Sequence, residues 1–140
     1  MISAVVLAFG IAFTAGLRVV TPIAAVLFPR GGWPMAVSLL AALGEIVADK
    51  LPRTGSRLAP IPLVARCAAG GAVAVVVGGK LGLDITPAAL IGILGAVCGA
   101  FAGAGYRKWV AALHLPDLWF ALVEDAVAVA IAFWIALSVV

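Results

Sequence analysis

A chain of 140 residues that is 66% hydrophobic and 11% charged, with a mean hydropathy of +1.28, stands apart from soluble domains, which run about 45–50% apolar and about 25% charged. That composition excludes an ordinary soluble globular fold and predicts an integral membrane protein. The formal charge of +3 comes without a basic stripe interleaved with aromatics, so no nucleic-acid partner is expected.

Five hydrophobic stretches follow in chain order, at about 2–28, 34–51, 61–79, 87–106 and 118–139, judged against the ~20 residues a helix needs to cross the hydrocarbon core. None alternates polar and apolar residues with period two, which favours helices over an outer-membrane barrel. The intervening "FPRGGWP", "LPRTGSRLAPIP", "GGKLGLDITP" and "HLPDLW" concentrate Gly and Pro, the residues of turns. The expected fold is therefore all-α, a polytopic membrane protein of about five transmembrane helices in a single domain over 1–140. No Lys or Arg precedes the first apolar run, so a removable signal peptide is not expected.

The first stretch is longer than one crossing requires and carries Gly16, Arg18 and Pro22 in its distal half. It reads as one tilted, kinked helix or as a broken one, since non-helical backbone is tolerated at membrane depth where protein covers it. Pro22 reads as the kink. The second stretch holds "LLAALGEIVADKLPR", in which Glu45 and Asp49 lie four residues apart on one helical face. Glu45 is about 12 residues beyond Trp33, or ~18 Å along a helix, which puts it inside the bilayer. The third stretch has Arg66 near its start and Gly70, Gly71, Ala74 and Gly78 along its length. In the fourth, Gly95, Gly99 and Gly103 recur every four residues and form a ridge on which another helix can approach closely, within one chain or across a homodimer seam. Arg107 ends that stretch, and the fifth begins with Glu124 and Asp125 in its cytoplasmic half.

The remaining residue types are less informative. Cys67 and Cys98 lie in apolar runs with neither metal-ligand nor disulfide spacing, and read as packing residues. His114 stands alone, so no metal centre is expected, and no cofactor motif is present. Asp84 and Asp117 precede helix starts and read as caps. Few hydroxyls and a single His leave no convergent catalytic set, so an enzyme is not expected.

Five crossings would put Lys50, Arg53, Arg57, Arg107 and Lys108 on the side of the N-terminus, against Arg30 and Lys80 on the other. The excess of positive charge marks the cytoplasmic side, which predicts the N-terminus inside and the C-terminus outside. Trp33, Trp109 and Trp119 fall near the ends of the stretches, where indoles favour the headgroup region.

Two segments near the start are echoed near the end. "AGLRVVTPIAAVLFP" (15–29) is similar to "AGYRKWVAALHLP" (104–116), and "AALGEIVAD" (41–49) to "FALVEDAVA" (120–128), which pairs Arg18 with Arg107 and Glu45 with Glu124. If spans 1 and 2 repeat as spans 4 and 5, the halves are inserted in opposite directions, the inverted arrangement of many transporters.

"GLRVVTP", "GEIVADKLPR" and the later "VED" resemble a family of small bacterial membrane proteins catalogued as a domain of unknown function. The resemblance covers most of the chain and implies a compact helical protein of the bacterial cytoplasmic membrane, with no activity or site residue to carry over. "GEIVADK" is also loosely similar to the Glu-x-Gly-Asp-Lys signature of a cation-exchanger family. It departs from that signature in the four-residue spacing of its carboxylates and in lacking the Gly.

Ionisable groups inside a membrane cost ~2.5–3.5 kcal/mol or more when isolated, so they pair or face a cavity. The residues expected to gather are Arg18, Glu45, Asp49, Arg66, Arg107, Glu124 and Asp125. Such a cluster serves either the passage of a small ion or lipid headgroup, or a structural role in which ion pairs fix the helix packing of an accessory subunit. Membrane lipids and a second copy of the chain are the expected partners.

Overall fold

Helices form at every apolar stretch, but the first stretch yields two. The computed structural model describes residues 1–48, 59–114 and 117–140. Among them lie six α-helices and one 3-10 turn: α1 (Ile2–Leu17), α2 (Val20–Leu27), the turn Phe28–Arg30, α3 (Gly32–Ala48), α4 (Pro60–Lys80), α5 (Ile85–Ala112) and α6 (Asp117–Val139). Three of these, α4, α5 and α6, are long and apolar enough to cross a membrane, and α1, α2 and α3 are shorter apolar helices. Asp49, Lys50, Arg53 and Arg57 lie outside the described residues.

The centre of the bundle is a layer of α1, α4 and α5 built on small residues. A Cβ placed on Gly95 would come within 2.8 Å of the Phe9 carbonyl oxygen, and one on Gly99 within 3.1 Å of the Gly16 Cα. Helices that meet backbone to backbone need glycine at the contact. Contacts that advance together, from Phe9 at Gly95 to Gly16 at Gly99, mean that α1 and α5 run parallel. Gly70 of α4 meets Ala96 and the Gly92 carbonyl, while Gly78 meets Ala88, so α4 runs antiparallel to α5. The ridge of Gly95 and Gly99 thus serves packing within the chain. Gly103, also buried, lines a crevice described below.

Of the two forms expected for the first stretch, the structure has the broken one: it divides at Arg18, whose backbone is extended (φ −141°, ψ 121°). Pro22 is not a kink: it sits in the first turn of α2, where its missing N–H would have had no helical partner anyway. From this break the chain doubles back. Ala25 and Val26 of α2 join Ile11 of α1, Val73 and Val77 of α4, and Ala132, Ile135 and Ala136 of α6 in one apolar cluster. Phe28 then packs edge-on against Phe133, with ring centroids 5.3 Å apart. Gly31 (φ 64°) and Gly32 (φ 67°) turn the chain again into α3, in a conformation open to glycine and strained for other residues. Among the described residues α3 packs chiefly on α2 and the turn, so it is a peripheral helix.

Helix α6 runs antiparallel to α1. Ile135 lies against Gly10, Asp125 against Arg18, and Val139 and Val140 pack on the cluster that contains Ile11. Met1 and Val140 therefore lie toward the same end of the bundle, here called the terminal end. Arg107 and Lys108, late in α5, mark the opposite, basic end.

An inverted repeat of spans 1 and 2 with spans 4 and 5 requires the paired spans to run in opposite directions. The stretch up to Arg18 runs parallel to the one up to Arg107, whereas α2, which carries most of the echoed segment 15–29, runs back beside α1, so the inverted repeat is not confirmed.

Candidate functional site

The break between α1 and α2 gathers most of the buried charge. Since α1 has 16 residues, Arg18 lies ~24 Å from the terminal end at 1.5 Å per residue. Asp125, eight residues into α6, lies ~12 Å from the basic end by the same rise. Their depths agree, and the Arg18 Nη2 donates to Asp125 Oδ1, with both side chains buried. Close by in α6, Glu124 accepts at Oε2 from Arg107 Nε at 3.0 Å. The two adjacent carboxylates thus go to cations from two different helices, one at the end of α1 and one late in α5.

Glu45 plays a different part. Its Oε1 accepts from the Val19 backbone N–H at 2.5 Å and its Oε2 from that of Val20 at 2.9 Å. No side chain of α2 caps its own N-terminus, and the first N–H groups of a helix have no intrahelical acceptor. A carboxylate carried by α3 supplies one, and its charge also suits the positive end of the peptide dipoles. Glu45 is half-buried, whereas Glu124 and Asp125 are buried. The same contact fastens α3 to the hairpin.

Arg66 is buried on α4, one turn before Gly70. As Gly70 packs level with Ala12 and Ala96, Arg66 stands level with the break. Among the described residues Arg18, Arg66 and Arg107 then balance Glu45, Glu124 and Asp125, three cations against three anions, as a set of charges in low dielectric requires. Of the seven residues expected from the sequence, six lie in this zone and Asp49 is outside the described residues. No group of three or more metal-binding side chains occurs among the described residues.

Sequence reasoning did not find the backbone donors of Val19 and Val20, because main-chain groups become available only when a helix starts at that point. The signal that pointed there was Gly16, Arg18 and Pro22 within one apolar run. Also unforeseen is a crevice of about 250 Å³ beside the ion pairs, lined by Phe13 and Leu17 of α1, Ala102, Gly103 and Tyr106 of α5, and Val123, Glu124 and Val127 of α6. Thr21, fully buried in the first turn of α2, has no hydrogen-bond partner for its hydroxyl among the described residues.

Glu45→Ala is expected to lower stability by about 2–3 kcal/mol, the range for losing charge-assisted hydrogen bonds together with a helix cap. Glu45→Gln should fall between, since an amide oxygen retains one acceptor. Thermal unfolding in detergent and hydrogen exchange at the Val19 and Val20 amides would measure both effects. Unchanged exchange in Glu45→Ala would show that the carboxylate does not cap α2 in solution.

No protein-family model, curated protein or solved structure matches this chain.

Proposed function

We propose that the protein is a small, non-enzymatic membrane permease in which a small ion passes by way of the polar cluster at the α1 break. The observation that carries this reading is the helix interrupted at depth, with its free N–H groups held by Glu45, a carboxylate on the peripheral helix α3. Interrupted helices whose ends meet ions near the membrane interior are a recurrent transporter device. A subunit that only packs has less need to open a helix where each unpaired backbone group costs several kcal/mol.

In the proposed arrangement α3, α4, α5 and α6 cross the bilayer, and α1 and α2 enter and return as a re-entrant hairpin. Both termini then face the same side, in place of the opposite sides expected from five spans. The segment that follows α3 carries Lys50, Arg53 and Arg57, and the basic end carries Arg107 and Lys108. The positive-inside rule accordingly puts that end in the cytoplasm of a bacterial inner membrane and both termini outside. Exposed Trp109 and Trp119 near the basic end and exposed Trp33 at the start of α3 suit the two headgroup regions.

The cluster would then lie ~12 Å from the cytoplasmic end. On its outer side the apolar group of Ile11, Val26, Val73, Val77 and Ile135 forms the barrier. Displacement of Glu45 from α2 by a competing ion frees α3 from its polar contact with the hairpin and is the proposed opening step.

A second reading, an accessory subunit stiffened by ion pairs, is favoured by the direct pairing of Arg18 with Asp125 and of Arg107 with Glu124. Reconstitution separates the two. Proteoliposomes containing a pH-sensitive dye, placed under imposed proton and salt gradients, should show flux above protein-free vesicles, reduced at least tenfold by Glu45→Gln. Absence of flux under every gradient, from protein shown to be folded, would favour the accessory role. Impermeant labelling of single cysteines at the two termini, after replacement of Cys67 and Cys98, should mark both from outside.

A further inference from the structure

We infer, resting on the permease reading, that the ion admitted at the α1 break is a small monovalent carboxylate or similar planar oxyanion. It binds on the N-terminus of α2, in the place that the Glu45 carboxylate holds. Glu45 is itself the pattern of the ligand. Its two oxygens each accept one backbone N–H, from Val19 at 2.5 Å and from Val20 at 2.9 Å, and a free carboxylate offers the same pair of oxygens on one planar carbon. Helix N-termini bind anions through such N–H groups and through the positive end of the helix dipole.

A second group at the same end of α2 calls for an acceptor. The Thr21 hydroxyl is fully buried and has no hydrogen-bond partner among the described residues. Thr21 stands in the first turn of α2, and the Cα–Cβ bonds of a helix tilt toward its N-terminus. Its side chain therefore leans toward the end where Val19 and Val20 offer their N–H groups. It also lies one turn before Ala25, a member of the inner apolar cluster, so it is on the inward side of α2. Glu45 comes from the peripheral helix α3 and is half-buried. Tethered there, it takes the two N–H groups and leaves the hydroxyl unmet. A free anion can settle further inward and accept from all three donors, which lifts the penalty of a buried hydroxyl without a partner.

Charge sets the sign and the valence. A cation would compete with guanidinium groups for Asp125 and Glu124, which are already paired with Arg18 and Arg107. An anion competes only with half-buried Glu45. Exchange of that carboxylate for one monovalent anion keeps three negative charges against Arg18, Arg66 and Arg107 among the described residues, while a divalent ion changes the balance by a full charge in low dielectric. Burial of the hydroxyl limits the ligand to a small body.

Thermal unfolding of the full chain in detergent, with sodium formate set against sodium gluconate at equal concentration, tests the assignment. Gluconate carries the same charge on a body too bulky for so enclosed a site. Formate should raise the midpoint of Glu45→Ala by about 5 °C over gluconate. It should also slow exchange at the Val19 and Val20 amides, which marks the place of binding. In the unaltered protein the shift should be smaller, because Glu45 competes. Glu45→Gln, which keeps the bulk of the side chain and one acceptor, is measured in parallel and should respond in the same direction. Thr21→Val removes the hydroxyl and keeps the shape. Alone it should not lower the midpoint, and combined with either Glu45 variant it should reduce the formate shift by half or more. Equal shifts with formate and gluconate, or formate shifts untouched by Thr21→Val, would overturn the site. Binding is read without transport, so the two readings fail separately. Formate rescue in a protein that carries no flux would support the site and count against the permease, whereas flux without formate rescue would overturn the anion as the ion carried.

Discussion

Arg18→Ala is expected to destabilise the protein by about 3–5 kcal/mol, the range observed when one partner of a buried ion pair is removed and the other is left charged. The reason is local to the break. Asp125 is buried, and Arg18 is the side chain that reaches it from the end of α1. Asp125→Ala should have a loss of the same order, because a guanidinium would then remain in the interior. The double substitution Arg18→Leu with Asp125→Leu removes both charges and preserves bulk, so much of the stability should return. A double-mutant cycle, read from unfolding in mixed detergent micelles, gives the coupling energy. Additive losses would mean that the two side chains do not depend on each other, which the geometry rules against. The pair also decides where α1 ends relative to α6, so a hairpin that shifts register in Arg18→Ala should bring faster exchange at the amides of Val19 to Leu27.

The second large effect belongs to the backbone contact of α1 with α5. Gly99→Ala would drive a Cβ into the Phe13 carbonyl group and to 3.1 Å from the Gly16 Cα. Backbone cannot rotate away as a side chain would, so the helices must separate. Overpacking of a well-packed interior typically costs about 1–3 kcal/mol, and Gly99→Leu is expected to exceed that and to prevent recovery of folded protein. Gly105, on the same helix, provides the contrast. Nothing lies within 4 Å of a Cβ at that position, and replacing a helical Gly by Ala gains up to about 1 kcal/mol from propensity alone. Opposite signs from the same substitution at these two positions of one helix would identify packing as the cause. A loss at both positions would instead indicate that α5 has a partner, such as a second copy of the chain, on the face of Gly105.

Close helix contact is legible in the glycine spacing alone, because small residues every four positions form a ridge in any α-helix. Which helix fills the ridge is not. Two surfaces compete for it equally well in sequence, and α1 prevails because its own Gly16 meets Gly99. The carboxylates and guanidiniums are likewise legible as a set, since charges in so apolar a chain must find partners or water. Their assignment is not, because Glu124 and Asp125 are neighbours in α6 and part only when α1 and α5 approach from different sides.

The sequence by itself determined the class of the protein: apolar helices, turns where Gly and Pro collect, and an ionisable group that had to lie within the bundle. Those properties depend on composition and on the short-range periods of the helix, which each segment carries with it. Only the tertiary structure decided that α2 turns back beside α1. A break in hydropathy is not visible at Arg18, because "VVTPIAAVLF" remains apolar on its far side, and either a crossing or a return would bury it. The return is selected by contacts distant in the chain: Glu45 on the first N–H groups of α2, Asp125 on Arg18, and Phe133 against Phe28. Reversal of that one helix moves both termini toward one end of the bundle, and with them the direction in which the cluster at the break opens.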